Sequence, residues 1–140
     1  MSSDQSTEQN SWFEAAKSGD VDALKLAIDS GCDVNSVDEL KNTALHHATI
    51  HAHLGAMSLL IENGADLNAA NDKLSTPLHL TNKNMDTIRI LLEAGADPNL
   101  QDADYDYPYY FAFYGSMTRE LTKLYIKHGA KLMLYDDKDD

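Results

Sequence analysis

The chain has 140 residues, 43% of them hydrophobic, which is enough for one domain that buries roughly two-thirds of its unfolded surface. Its 23 acidic and 11 basic residues give a net charge of −12, which disfavours nucleic acid and anionic membranes and favours either plain solubility or a basic partner. No apolar run is long enough to cross a membrane, the polar start does not resemble a secretory signal, and the single cysteine, Cys32, excludes an intramolecular disulfide, so we expect a cytoplasmic protein.

Alternating helices and turns are predicted along the chain. Residues 1–10 are polar and without apolar periodicity, which predicts a disordered tail. Ser11 and Glu14 have capping-box spacing and predict that the first helix begins at Ser11. A second helix is predicted over Val21–Ser30, ended by Gly31. Later helices are predicted over Ala44–His51 and Leu54–Asn63, from Thr76-Pro77 and over Met85–Ala94, and from Tyr107-Pro108 and over Met117–His128.

The helix pairs recur at a nearly constant interval. The stretch TALHHATIHAHLGAMSLLIENGADLN, residues 43–68, is followed by TPLHLTNKNMDTIRILLEAGADPN, residues 76–99. The turn glycines Gly31, Gly64, Gly95 and Gly129 are separated by 33, 31 and 34 residues. This periodicity predicts a solenoid of stacked units. The predicted boundaries are 11–37, 38–70, 71–101 and 102–135, followed by an acidic tail over 136–140.

Two apolar positions of the second helix align through all four units. We expect these positions to form a core shared between neighbouring units, because stacking buries a continuous apolar surface. They are Leu26, Leu59, Ile90 and Leu124 at one position, and Ile28, Ile61, Leu92 and Ile126 at the other.

The chain resembles the ankyrin-repeat family over about residues 11–132. The motifs that carry the resemblance are Thr43-Ala44-Leu45-His46, Thr76-Pro77-Leu78-His79, Gly64-Ala65-Asp66-Leu67-Asn68 and Gly95-Ala96-Asp97-Pro98-Asn99. The resemblance implies an all-α solenoid of helix-turn-helix units joined by β-hairpin-like turns. The sequence departs from the family pattern in the third unit, which is two residues short, and in the fourth, which begins Tyr107-Pro108-Tyr109-Tyr110.

Catalysis and metal binding are both disfavoured by the sequence. His47 and His51 are four residues apart on a predicted helix, a spacing that lets two imidazoles share a metal, but no third ligand completes the set. A metal-binding protein using this pair is kept as a remote alternative. No nucleophile motif or phosphate loop is present, so we predict a protein that is not an enzyme and needs no cofactor.

The resemblance also implies where a partner protein would bind. Ankyrin proteins generally contact partners with hairpin tips and the exposed face of the first helices, their concave side. Ile50 and Leu40 are apolar where solvent is expected. Mapped onto this sequence, the predicted contact residues are Glu39, Leu40, Asn42, Ile50, His51, Asp72, Lys73, Lys83, Asn84, Asp102, Asp104, Tyr105, Asp106, Tyr110 and Tyr114.

Tyrosines and acids cluster in the fourth unit. Tyrosine is common in interface hot spots and carboxylates pair with arginine, so this patch favours a basic partner protein. We expect contact from Tyr105 and Tyr114, and a capping role in the core for Tyr109. The sequence therefore predicts a binding module, monomeric when free, that occludes or neutralises a partner such as a toxin, nuclease or other enzyme. A scaffold or adaptor that binds without inhibiting is the alternative.

Overall fold

A computed structural model describes residues 3–110 and 119–132. Within these residues there is no strand, and no helix is long and apolar enough to cross a membrane. The element order confirms an all-α solenoid. The helices are α1 (Ser3–Ser18), α2 (Val21–Asp29), α3 (Ala44–Ile50), α4 (Leu54–Glu62), a 3-10 turn (Pro77–Leu80), α5 (Met85–Ala94) and α6 (Arg119–Lys127).

The first helix differs from the sequence prediction. It begins at Ser3 rather than Ser11, so the stretch predicted to be a disordered tail is helical from Ser3 onwards. The Ser11 hydroxyl donates to the Thr7 carbonyl inside the helix, 3.0 Å away, and does not cap a helix start. Trp12 is buried and anchors the helix to the core. Extending an anchored helix costs less than starting one, which accounts for the longer element.

The third unit also departs from its prediction. Its first helix is reduced to the 3-10 turn Pro77–Leu80. Asn82 and Lys83 follow with φ of 49° and 62°, whereas the second unit makes the same reversal with one left-handed residue, Ala52. The two missing residues leave too little chain for a full helix, and consecutive left-handed residues complete the turn.

Side-chain amides of asparagine hold neighbouring units in register. The side-chain Oδ1 of Asn35 accepts from the backbone N–H of Asp66 at 2.7 Å. In the same way, Oδ1 of Asn68 accepts from the Asp97 N–H and Oδ1 of Asn99 accepts from the Lys131 N–H, each at 2.8 Å. Each asparagine therefore reaches the next unit. Exposed backbone groups of successive turns are thereby satisfied.

The aligned second-helix positions are covered in the middle of the solenoid and uncovered at its two ends. Leu59, Ile61 and Ile90 are half-buried and Leu92 is buried. At the ends, by contrast, Leu26 is 69% exposed and Ile126 is 54% exposed. The predicted core therefore forms where a neighbouring unit is stacked on that side.

Candidate partner-binding surface on the hairpin tips

Three five-residue hairpins, 38–42, 71–75 and 102–106, have the same backbone hydrogen bond. The N–H of the first residue donates to the carbonyl of the fifth, at 3.0 Å from Asp38 to Asn42 and from Asp102 to Asp106, and at 3.1 Å from Asn71 to Ser75. The three hairpins can therefore be compared position by position.

The first residue of each hairpin braces the turn with its side chain. An Oδ1 atom accepts from the N–H of the third and fifth residues, at 2.9–3.0 Å in Asp38, Asn71 and Asp102. This is the Asx pattern that Asp and Asn adopt in turns. Asp102, predicted to contact a partner, thus has one oxygen committed to its own hairpin.

Successive hairpins are bonded to each other at their tips. The Asp72 N–H donates to the Leu40 carbonyl at 3.0 Å, and the Ala103 N–H donates to the Lys73 carbonyl at 2.9 Å. Behind the tips, His46 and His79 lie 2.9 Å from the carbonyls of the fifth residues, Ser75 and Asp106. The tips form one continuous, pre-organised edge.

The fourth residue of each hairpin has a left-handed backbone. These residues are Lys41, Leu74 and Tyr105, with φ of 62°, 56° and 65°, and we call them the tip row. Leu74 is 53% exposed and Tyr105 is 78% exposed. Leu40, beside the row, is 57% exposed. The row therefore presents large side chains to solvent at positions where glycine is the least strained residue.

Negative charge is concentrated at one end of the row. The first hairpin carries Asp38 and Glu39 with Lys41, and the second carries Asp72 with Lys73, whereas the third has Asp102, Asp104 and Asp106 and no cation. Burial, followed by repulsion from Asp102 and Asp104, raises the pKa of Asp106 above its ordinary value. A bound cation would relieve this repulsion.

The sequence model for ankyrin repeats matches residues 12–102 in three copies, more than half of the chain. The chain belongs to the ankyrin-repeat family. Among curated proteins, no sequence matches it. Ankyrin repeats are in general modules that bind other proteins, and the family is typically non-enzymatic.

Two residues of this ankyrin surface, Lys41 and Leu74, were missed by the sequence prediction. Each lies six residues after a hairpin asparagine, Asn35 or Asn68, as Tyr105 lies six residues after Asn99. The constant spacing would therefore have found both residues once Tyr105 was singled out.

The other predicted contact residues of the hairpins divide into exposed and structural ones. Glu39, Asp72, Lys73 and Asp104 are exposed, as expected for contact residues. Asn42 is only 9% exposed, and its Oδ1 accepts from the Asn71 amide at 2.9 Å, so it links two hairpins and is not available as a contact.

The predicted contacts outside the hairpins lie at the ends of short helical segments. Ile50 and His51 at the end of α3 are exposed, as is Lys83. Asn84 is also exposed, but its side chain accepts from the Thr87 N–H at 3.0 Å and caps α5.

The tyrosines of the fourth unit have different roles. Tyr109 is buried, donates to the Lys131 carbonyl at 2.8 Å, and packs edge-on against Tyr125 with ring centroids 5.9 Å apart. It is part of the core, as predicted. Tyr110 is exposed, and Tyr114 lies outside the described residues.

The histidines have structural partners. His47 Nε2 lies 2.7 Å from Asp38 Oδ2, and His53 Nε2 lies 2.8 Å from the Lys17 carbonyl. Burial tends to raise the pKa of Asp38, but hydrogen bonds from His47 and from two backbone N–H groups outweigh it and lower that pKa. Within residues 3–110 and 119–132, no three His, Cys, Asp or Glu side chains are grouped as a metal site would require.

Proposed function

We propose that this ankyrin protein binds a basic partner protein through the tip surface. This surface consists of the tip row, Leu40 and the three aspartates of the third hairpin. The observation that carries the proposal is a row of exposed large side chains that ends in a hairpin with three carboxylates and no cation. A partner that presents arginine or lysine beside an apolar patch complements both features.

Tyr105 is the anchor of the proposed interface. It is more exposed than Leu74, the apolar member of the tip row, and lies between Asp104 and Asp106. A left-handed backbone costs a residue with a side chain about 1–2 kcal/mol, and glycine would avoid that cost. Strain retained on an exposed surface supports a role in recognition. Tyrosine also buries a large area with little loss of side-chain freedom.

The proposed consequence of binding is inhibition, as for an immunity-type protein that neutralises a toxin, nuclease or other enzyme. Carboxylates on a rigid edge would cover a cationic groove of the partner and block it. One chain carries the whole tip surface, so a free monomer would suffice. We place this activity in the cytoplasm, a compartment compatible with a single cysteine. An adaptor role would use the same surface without affecting the partner's activity.

Pull-down with matched charge variants tests this function. Asp104→Asn and Glu93→Gln each remove one exposed negative charge, the first from the third hairpin and the second from α5, outside the hairpins. We expect wild type and Glu93→Gln to retain the same basic protein and Asp104→Asn to retain less, with binding that weakens as salt rises. Equal retention by both variants, or a salt-insensitive acidic partner, would contradict the proposal. Adding the chain to an assay of the captured partner's activity then separates inhibitor from adaptor.

A further inference from the structure

At the two aligned positions of the second helices, the exposed residues are Leu26 and Ile126, and they face opposite ends of the solenoid. Leu26 and Ile28 are two residues apart on α2, so their side chains point about 200° apart around the helix. Leu124 and Ile126 are related in the same way on α6. Leu26 is exposed while Ile28 is half-buried, and Ile126 is exposed while Leu124 is half-buried. The first end therefore leaves open the side on which a preceding unit would stack, and the last end leaves open the side for a following unit.

A groove adjoins Leu26 at the first end. It lies between α1 and α2, has a volume of about 660 Å³, and is lined in part by Trp12, Ala27 and Cys32. Trp12 is 1% exposed, and its buried Nε1–H has no acceptor among the described residues. A buried donor normally has a partner. The groove therefore offers apolar surface beside a buried donor that has no partner among the described residues.

Among the described residues, the two ends carry opposite charge. The groove is lined by Glu8 and Asp33, and no Lys or Arg is among its described lining residues. Leu26 is flanked on α2 by Asp22 and Asp29. Lys25 is on the same helix, but it lies about 100° around the axis from Leu26, compared with about 40° for Asp22. The first end is thus acidic around its apolar centre.

Within residues 119–132, the last end is basic around Ile126. Arg119 and Lys123 lie within about 60° of Ile126 around α6, and both are exposed. Lys127 and Lys131 are exposed as well, and Glu120 is the acidic residue of this helix. The acidic first end of one molecule therefore complements the basic last end of another, whereas two like ends would repel each other.

We propose that a second copy of this chain stacks head to tail on the first, with α6 of one molecule against the α1–α2 groove of the next. The contact repeats the stacking between units within the chain, because it covers the same two second-helix positions. Both ends differ from the tip surface, so stacking and partner binding are independent. A head-to-tail contact that continues the stacking of units leaves a free end on each molecule, so short linear assemblies are expected at high concentration.

Charge reversal at each end tests the stacking in the full chain. One variant carries Glu8→Lys and Asp29→Lys at the acidic end, and the other carries Arg119→Glu and Lys123→Glu at the basic end. All four residues are exposed, and Asp29→Lys and Arg119→Glu each place a charge at a helix terminus where that charge is favourable, so both variants are expected to fold. Circular dichroism checks that they do.

The readout is the average mass by sedimentation equilibrium at low salt. We expect the mass of the wild type to rise with concentration without a plateau and to fall when salt is added. Each variant alone is expected to remain monomeric at concentrations where wild type associates. An equimolar mixture of the two variants is expected to associate again, because the basic α6 of the first variant meets the acidic groove of the second. A wild type that stays monomeric, a single variant that still associates, or a mixture that remains monomeric would overturn head-to-tail stacking.

Discussion

The left-handed residues of the tip row connect local strain with recognition. Lys41, Leu74 and Tyr105 adopt a backbone conformation that glycine adopts at lower cost, while their side chains are exposed. Large side chains at these positions therefore reduce stability without adding to the core. Stability and binding should respond in opposite directions when such a residue is changed.

Replacing Tyr105 with glycine is expected to stabilise the fold by about 0.5–1 kcal/mol, because relief of left-handed strain exceeds the added chain entropy of glycine. Lys41→Gly, at the equivalent position of the first hairpin, is the control and should give a similar gain. Urea denaturation measures both. A loss of stability in Tyr105→Gly alone would mean that the tyrosine ring supports the fold.

His46 should make stability depend on pH. Burial lowers the pKa of His46 below its ordinary value of 6.5, against a weaker opposing contribution from its hydrogen bond to Ser75. As pH falls through 6.5, the unfolded chain takes up this proton before the folded chain, so the free energy of unfolding falls. The contribution of neutral His46 to stability is therefore fully present above pH 6.5. It is lost as the pH falls towards the lower pKa that His46 has in the folded protein.

We therefore expect the free energy of unfolding to fall more steeply in wild type than in His46→Gln as the pH is lowered from 7. The variant should be less stable at pH 7, because it loses the bonds to Thr43 and Ser75. Denaturation at a series of pH values gives the two slopes. Parallel slopes would show that His46 does not carry the effect.

At the level of elements, close approach between neighbouring units fixes the turn between α1 and α2. Gly19 has φ of 74°, and a Cβ added there would lie 2.6 Å from His53 Cγ on the next unit. His53 in turn bonds to the Lys17 carbonyl. This contact joins the first unit to the second.

Gly19→Ala is expected to be more destabilising than Gly64→Ala, which has φ of 89° and no atom within 4 Å of an added Cβ. Both variants incur left-handed strain of about 1–2 kcal/mol, and overpacking adds about 1–3 kcal/mol at Gly19 only. Thermal denaturation compares them. In a His53→Ala background the two glycine substitutions should lower the free energy of unfolding by the same amount. A difference that persists in this background would mean that His53 is not the residue that the added Cβ meets.

Most element positions could be predicted from the sequence, because glycines, threonine caps and apolar periodicity are local signals. Two elements could not. The start of α1 depends on the anchoring of Trp12, a tertiary effect, and the 3-10 turn at Pro77 depends on a deletion several residues away. At the surface, the exposure of Tyr105 followed from the repeat pattern, but the burial of Asn42 by Asn71 of the next hairpin did not.

At the scale of the whole molecule, the described surfaces divide by position. The tips carry the proposed site for a basic partner, and the two ends carry the proposed contacts between copies. Each surface is recognised by what it leaves exposed: large side chains at positions where glycine is the least strained residue, and apolar residues left open at the ends. The regular part of the chain provides the rigid frame between them.

Binding by the tip row is measured through the affinity of Tyr105→Gly for the protein that wild type captures. Since this variant is expected to be at least as stable as wild type, lost affinity cannot be attributed to unfolding. Removing a hot-spot side chain costs about 2 kcal/mol or more, so we predict a dissociation constant at least about 30-fold higher. Lys41→Gly supplies a control with the same backbone change and no aromatic loss. An unchanged dissociation constant for a folded Tyr105→Gly would mean that the tip row does not bind the partner through Tyr105.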